Sequence, residues 1–335
     1  MRAKIEWYVL YHNPPMIGRR HYRIKVLQAL YAWFQGGEDR IEVAEKNLLN
    51  SIEKVHELYY LQLSFLLEVI HFYGYRLEEA KTKFFPTPQE LNPSYKLMEN
   101  LLIRQLQENT DLSRNISKYK ISWTEEQEMV RKVYQKIKTG KDHQEYLQSE
   151  TRSYQEDQEF LERLFRKYIA KSPDLQYYCE ERNIFWYDDF DVAAIFVLKT
   201  IKQLTPGFSS AEPISSVFTH DQLDDPEEDH KFIVELFRKT VLNSESSTAL
   251  IDARTKNWEI DRIALTDIIL IKMALTEFTC FSQIPVKVTL NEYIEISKQF
   301  SSQKSKLFIN GILDKLVTDL TVEKRIIKTG RGLMT

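Results

Sequence analysis

Arg19, Arg20, His21, Arg23 and Lys25 crowd into two turns' worth of sequence, and no acid occurs between Asn13 and Gly37. Cations at this density attract phosphate, and each one that replaces a condensed counterion adds to affinity for a nucleic acid. The whole chain carries a formal charge of −3, so attraction to a polyanion has to be local. From the residues alone, the cluster fits either a phosphate-contacting surface or a solvated basic face.

Covalent and metal chemistry find little support. GxGxxG, GxxxxGK followed by Ser or Thr, HExxH and GxSxG are all absent. Asp188, Asp189 and Asp191 bring three carboxylates together, but without the glycine and terminal glutamate of a calcium loop they read as a helix start. The two cysteines, Cys179 and Cys280, have no CxxC or Cys/His spacing, which suits a reducing cytoplasm. Neither a catalytic residue, a metal nor a cofactor is expected.

The elements that would position the cations are helices. Only nine glycines and ten prolines punctuate 335 residues, of which 43% are hydrophobic and 28% charged, a composition that favours an all-α globular protein. Ile24, Leu27, Leu30, Tyr31 and Phe34 mark a first helix ending at Gly36 and Gly37. A long helix is expected from Ile41 to Lys83, broken by Pro86, Pro88 and Pro93. Further helices are expected over 95–109, 124–138, 151–170 and 185–204, followed by a break at Pro206, Gly207 and Pro213. The acid run from Asp221 to Asp229 reads better as a helix start than as a linker, with Asp225 as cap and Pro226 in the first helical position.

From Trp258 to Phe278 apolar residues wrap most of the circumference, which predicts a central buried helix. A helix through Leu290, Tyr293 and Phe300 follows, and then one from about Ser302 through Phe308, Ile312 and Leu320. In that last helix Gly311 is expected to admit a close neighbour, and the basic tail from Lys324 to Arg331 is expected to fray. No run is long enough to span a bilayer. The opening residues lack an apolar signal core, and Met16 is an alternative start to Met1.

Two segments carry a family resemblance. GRRHYRIKVLQALYAWF, from Gly18 to Phe34, resembles the arginine-rich first helix of the NusB family. WEIDRIALTDIILIKMALTEF, IPVKVTLNEYIEISKQF and SSQKSKLFINGILDKLV, between Trp258 and Val317, look like its three C-terminal helices in order. With the helix from Pro226, the resemblance covers roughly two fifths of the chain. It divides the sequence into an extension (1–15), a NusB-like core of two small subdomains (16–40 with 220–322), a helical insertion (41–219) and a basic tail (323–335).

The resemblance implies a non-enzymatic cytoplasmic protein that binds boxA-type RNA with NusE, the ribosomal protein that doubles as a transcription factor. It would do so within the RNA polymerase antitermination complex on ribosomal RNA operons. It also implies roles for residues. Arg19, Arg20, His21, Arg23 and Lys25 would contact phosphates, Gln28 and Phe308 would reach bases, and Lys304 would add charge where several relatives have an acid. Tyr31 and Asp267 would face NusE. Asp267 also has a structural reading, as a carboxylate capped or paired with Arg262 or Lys272. Relatives differ in whether they form homodimers. The competing readings are an interaction scaffold whose insertion replaces RNA binding, and an accessory domain related to ribosomal RNA methyltransferases.

Overall fold

The computed structural model describes residues 19–37, 39–214, 226–255 and 263–333. The extension 1–15, Met16, Asp225 and residues 258–262, with Trp258, Asp261 and Arg262, lie outside them. Every regular element among the described residues is helical, and none of these helices is long and apolar enough to cross a membrane. The chain divides into two compact units, one drawn from Met1–Ile52 and Leu223–Thr335, the other from Glu53–Gln222.

The first unit contains α1 (Arg19–Gly36), the opening of α2 (Ile41–Lys81), α11 (Pro226–Leu242), α12 (Ser244–Asp252), α13 (Leu265–Cys280), α14 (Val286–Phe300) and α15 (Gln303–Val322). Gly37, at φ 65°, supplies the left-handed turn that stops α1. Pro226 opens α11, with Glu227, Glu228 and Asp229 in the first turn, where the helix dipole favours acids. The centre is α13, buried continuously from Ile269 to Phe278 and packed against α1, α11, α12, α14 and α15. It begins at Leu265, later than the apolar pattern predicts, because Ala264 takes an extended ψ of 135° and breaks the helical register.

Ser302 caps α15 by accepting from the Ser305 N–H at 3.1 Å, and α15 runs unbroken through Asn310 and Gly311. Among the described residues the expected close neighbour at Gly311 is absent: a Cβ there would meet nothing within 4 Å. Gly311 is therefore only a flexible residue on an exposed helical face. Gly311→Ala is expected to raise stability by about 0.5–1 kcal/mol, which urea unfolding would measure.

The tail also departs from expectation. Lys324, at φ 58°, turns the chain back, and Ile326 packs on the core. Lys328 Nζ then donates to the carbonyls of Glu277 (3.2 Å) and Phe281 (2.9 Å), which also accept the Phe281 and Ile284 N–H groups at the end of α13. Thr329 N donates to Ser282 O at 3.0 Å. Gly332 lies so close that a Cβ would sit 1.9 Å from Ser282 O. Backbone pairing and a lysine cap hold a segment whose composition alone suggests fraying.

The second unit holds the rest of α2 and α3 (Pro88–Leu91), α4 (Leu101–Glu108), α5 (Thr110–Lys118), α6 (Gln127–Lys138), α7 (Lys141–Gln148), α8 (Tyr154–Leu164), α9 (Pro173–Arg182) and α10 (Phe190–Gln203). The proline-rich break after α2 is not structureless: Thr87 and Glu90 form a reciprocal capping box around the single turn of α3. At its end α8 widens into a π-helical turn, Phe165–Ile169.

Side chains of α2 tie it to its neighbours. The Tyr59 and Thr200 hydroxyls share a hydrogen bond of 2.8 Å, and Gln62 Nε2 donates to Phe190 O at 2.9 Å. Asp189 takes the position before α10, with Asp191 in the first turn, so the acid cluster stands at a helix start.

Candidate RNA interface

The structure separates the expected cation cluster into an outer pair and an inner set. Arg19 and Arg20 are 38% and 39% exposed. Arg19 lies 3.6 Å from both Glu228 and Asp229 of α11, with its guanidinium over the Phe232 ring at 5.3 Å. Arg20 donates through Nε and Nη2 to the two oxygens of Glu292, each at 2.7 Å. That hydrogen-bonded carboxylate holds its pKa above the ordinary value.

His21, Arg23 and Lys25 are buried, contrary to the expectation of five surface cations. The reason is that α1 is packed from more than one side, against α11, α13 and α14. Arg23 forms a fork with Glu277, Nε to Oε2 at 2.8 Å and Nη2 to Oε1 at 2.7 Å. Glu277 is fully buried and also accepts from Thr289 Oγ1 at 2.7 Å and Tyr293 OH at 3.2 Å. Burial works against the charged guanidinium, and Glu277 more than offsets it, so the Arg23 pKa is raised. Burial, aided by Glu277, likewise pushes the Tyr293 phenol well above its ordinary value.

Magnitudes decide which cations can exchange a carboxylate for a phosphate. A solvent-exposed ion pair is worth about 0–1 kcal/mol, so Arg19 gives up Glu228 at little cost, while Arg20, forked to the partly buried Glu292, is held more firmly but keeps its own side chain 39% exposed. Breaking a buried pair costs about 3–5 kcal/mol, so Arg23 stays with Glu277. Arg23 is a structural residue, and its replacement would report on folding rather than on phosphate contact.

The remaining site residues spread over two helices. Gln28 is half-buried and Tyr31 is 43% exposed on α1. Lys304 is exposed in the first turn of α15, and Phe308 is half-buried against the core. Both α1 and α15 pack on α13, and a shared core thereby supports both sets.

Asp267 is 3% exposed in the first turn of α13 and accepts a hydrogen bond from Ser301 Oγ, in the joint between α14 and α15. Lys272 donates to Ser244 Oγ at 2.7 Å; Arg262, the other suggested partner, lies outside the described residues. Glu277 and Glu292, which decide the fate of the α1 cations, were not singled out from the sequence. An acid among the apolar residues that close α13 was the available signal for Glu277.

Comparison with known proteins gives this arrangement its lineage. Residues 192–318 match the model of the NusB family, a stretch that includes most of α10 and continues into α15. The chain is 37% identical over 138 residues to "Transcription antitermination protein NusB" of Salinibacter ruber, covering 41% of this chain and 86% of that relative. The chain belongs to the NusB family. A second NusB, from Koribacter versatilis, is 33% identical over 128 residues, 38% of this chain and 88% of the relative. No solved structure matches. The all-α class expected from the resemblance holds among the described residues, and the family match leaves residues 1–191 and 319–335 of this NusB-family chain outside it.

Proposed function

We propose that the protein is a cytoplasmic transcription antitermination factor that holds boxA-type single-stranded RNA together with NusE. It would act without chemistry of its own, as part of the RNA polymerase complex that transcribes ribosomal RNA operons. The observation that carries this reading is the 37% identity across 86% of a transcription antitermination protein. The pair Arg19 and Arg20, whose side chains are 38% and 39% exposed, supports it.

In this reading Arg19, Arg20 and Lys304 meet phosphates. Lys304 and Lys306 occupy the first turn of α15, which contains no acid. Cations there oppose the helix dipole, but the free N–H groups and the lysines together suit an anion. Phe308 and Gln28 supply a planar face and an amide for unstacked bases. Tyr31 is the exposed aromatic offered to NusE, and Asp267 contributes by fixing Ser301. His21 and Lys25 shape α1 from inside. Homodimerisation would be read from sizing.

Three phosphate contacts with single-stranded RNA give a slope of log affinity against log salt near −2. Arg20→Ala is expected to flatten that slope by about 0.7 and to weaken boxA binding, measured by filter binding with and without NusE. An unaltered slope and affinity would remove Arg20 from the interface. No binding of boxA RNA by the wild-type protein, alone or with NusE, would overturn the function.

A further inference from the structure

The second unit contains a different kind of basic surface. Between Arg131 and Lys141 the sequence has five bases and no acid. Met129, Val130, Val133, Tyr134 and Ile137 turn the apolar side of α6 inward. Arg131, Lys132, Gln135, Lys136, Lys138 and Thr139 are left on the exposed side.

At the edges the charges are matched. Arg131 donates to Glu128 at 3.0 and 2.8 Å, and Lys141 lies 3.4 Å from Glu145. Lys132, Lys136 and Lys138 have no carboxylate within 4.0 Å among the described residues. Lys132 and Lys136, one turn apart, repel each other. Lys136 and Lys138 gain from the helix C-terminus, but Lys132, in mid-helix, does not.

We infer that the solvent face of α6, centred on Lys132, Lys136 and Lys138, is a second contact for the phosphate backbone of RNA. The contrast with α1 points this way. Arg19, Arg20 and Arg23 have carboxylate partners within their own unit, whereas the three lysines of α6 form no ion pair among the described residues: Glu128, one turn before Lys132 and influenced by it, is bound to Arg131. A polyanion that releases those counterions gains affinity. The contact is independent of base sequence, because α6 exposes no aromatic ring on which a base could stack; its Tyr134 is buried. This inference rests on the reading of the protein as an RNA-binding factor, and it gives the helices of residues 41–191 a share in that task.

The test uses full-length protein and two fluorescein-labelled probes, an oligouridylate and a boxA RNA, titrated across a salt series. The combined variant Lys132→Ala, Lys136→Ala, Lys138→Ala is expected to weaken oligouridylate binding at least about tenfold at low salt and to flatten the slope by about 2. All three side chains are exposed, and circular dichroism would verify an intact fold. Unchanged affinity and slope for both probes would overturn the inference. If Arg19→Ala with Arg20→Ala abolishes boxA binding and the lysine variant alters neither probe, the α6 contact falls and the proposed function stands. If the lysine variant loses both probes and the arginine variant loses neither, the α6 contact stands and the α1 interface falls. Polyglutamate bound as tightly as oligouridylate would replace RNA with an acidic protein as the partner, and so overturn the inference.

Discussion

Glu277→Ala is expected to destabilise the protein by about 3–5 kcal/mol, because it takes the hydrogen-bonded fork from the buried Arg23 guanidinium and leaves it only Glu292, 3.9 Å away and already bound to Arg20. Arg23 is 2% exposed and Glu277 fully buried, so water cannot take the place of the missing carboxylate. Thr289 and Tyr293 lose their acceptor in the same step, which adds to the cost of unmet buried donors. A loss of this size is a large part of the roughly 5–15 kcal/mol that holds a domain together. Urea unfolding of the variant would show it as a lower midpoint. The double variant Arg23→Met, Glu277→Leu is expected to recover most of the loss, since apolar replacements for a buried ion pair are often neutral or better. A Glu277→Ala protein within about 1 kcal/mol of wild type would mean that Arg23 finds another anion or reaches solvent.

The same pair shows where a sequence stops being readable. Helical periodicity locates α1 from Ile24, Leu27 and Leu30, and Pro226, Ser302 and the apolar wrap of α13 announce their elements correctly. Those signals are local, set by capping chemistry and by residues three or four positions apart. Which charges of α1 face outward depends on Glu277 and Glu292, more than 250 positions away, and no local spacing encodes that. Five adjacent cations look alike in sequence, yet three are inside. Asp267 attracted notice as an acid in an apolar helix, while Glu277, in the same helix, holds the more consequential charge.

Errors elsewhere have the same origin. Gly311 resembles a close-packing glycine only until its empty surroundings are seen. The tail resembles a frayed basic end until Lys328 reaches the carbonyls closing α13. In the second unit, the π-helical turn after α8 has no distinctive residue to announce it, and the exposed lysines of α6 stand out only once the nearby acids are placed. The family resemblance, in contrast, was legible because strings such as SKLFINGILDK fix identities as well as periodicity.

Trp186→Ala is expected to cost the second unit about 3–5 kcal/mol, the range for deleting a buried large aromatic. Trp186 sits in the 3₁₀ turn Ile184–Trp186, which packs against α9. Its side chain is 2% exposed, and its Nε1 donates to the Lys54 carbonyl of α2 at 2.8 Å. The substitution therefore removes both a large buried surface and a tie to the long helix. Trp186→Phe separates the two contributions: it keeps most of the apolar contact and loses the donor, with an expected cost of about 1–2 kcal/mol. Equal losses for the two variants would assign the stabilisation to the hydrogen bond, and a Phe variant indistinguishable from wild type would assign it to packing alone. Loss of near-ultraviolet dichroism together with a lower urea midpoint would report on the unit. If the Ala variant unfolds at the wild-type midpoint, the indole does not belong to the core of the helices of residues 41–191.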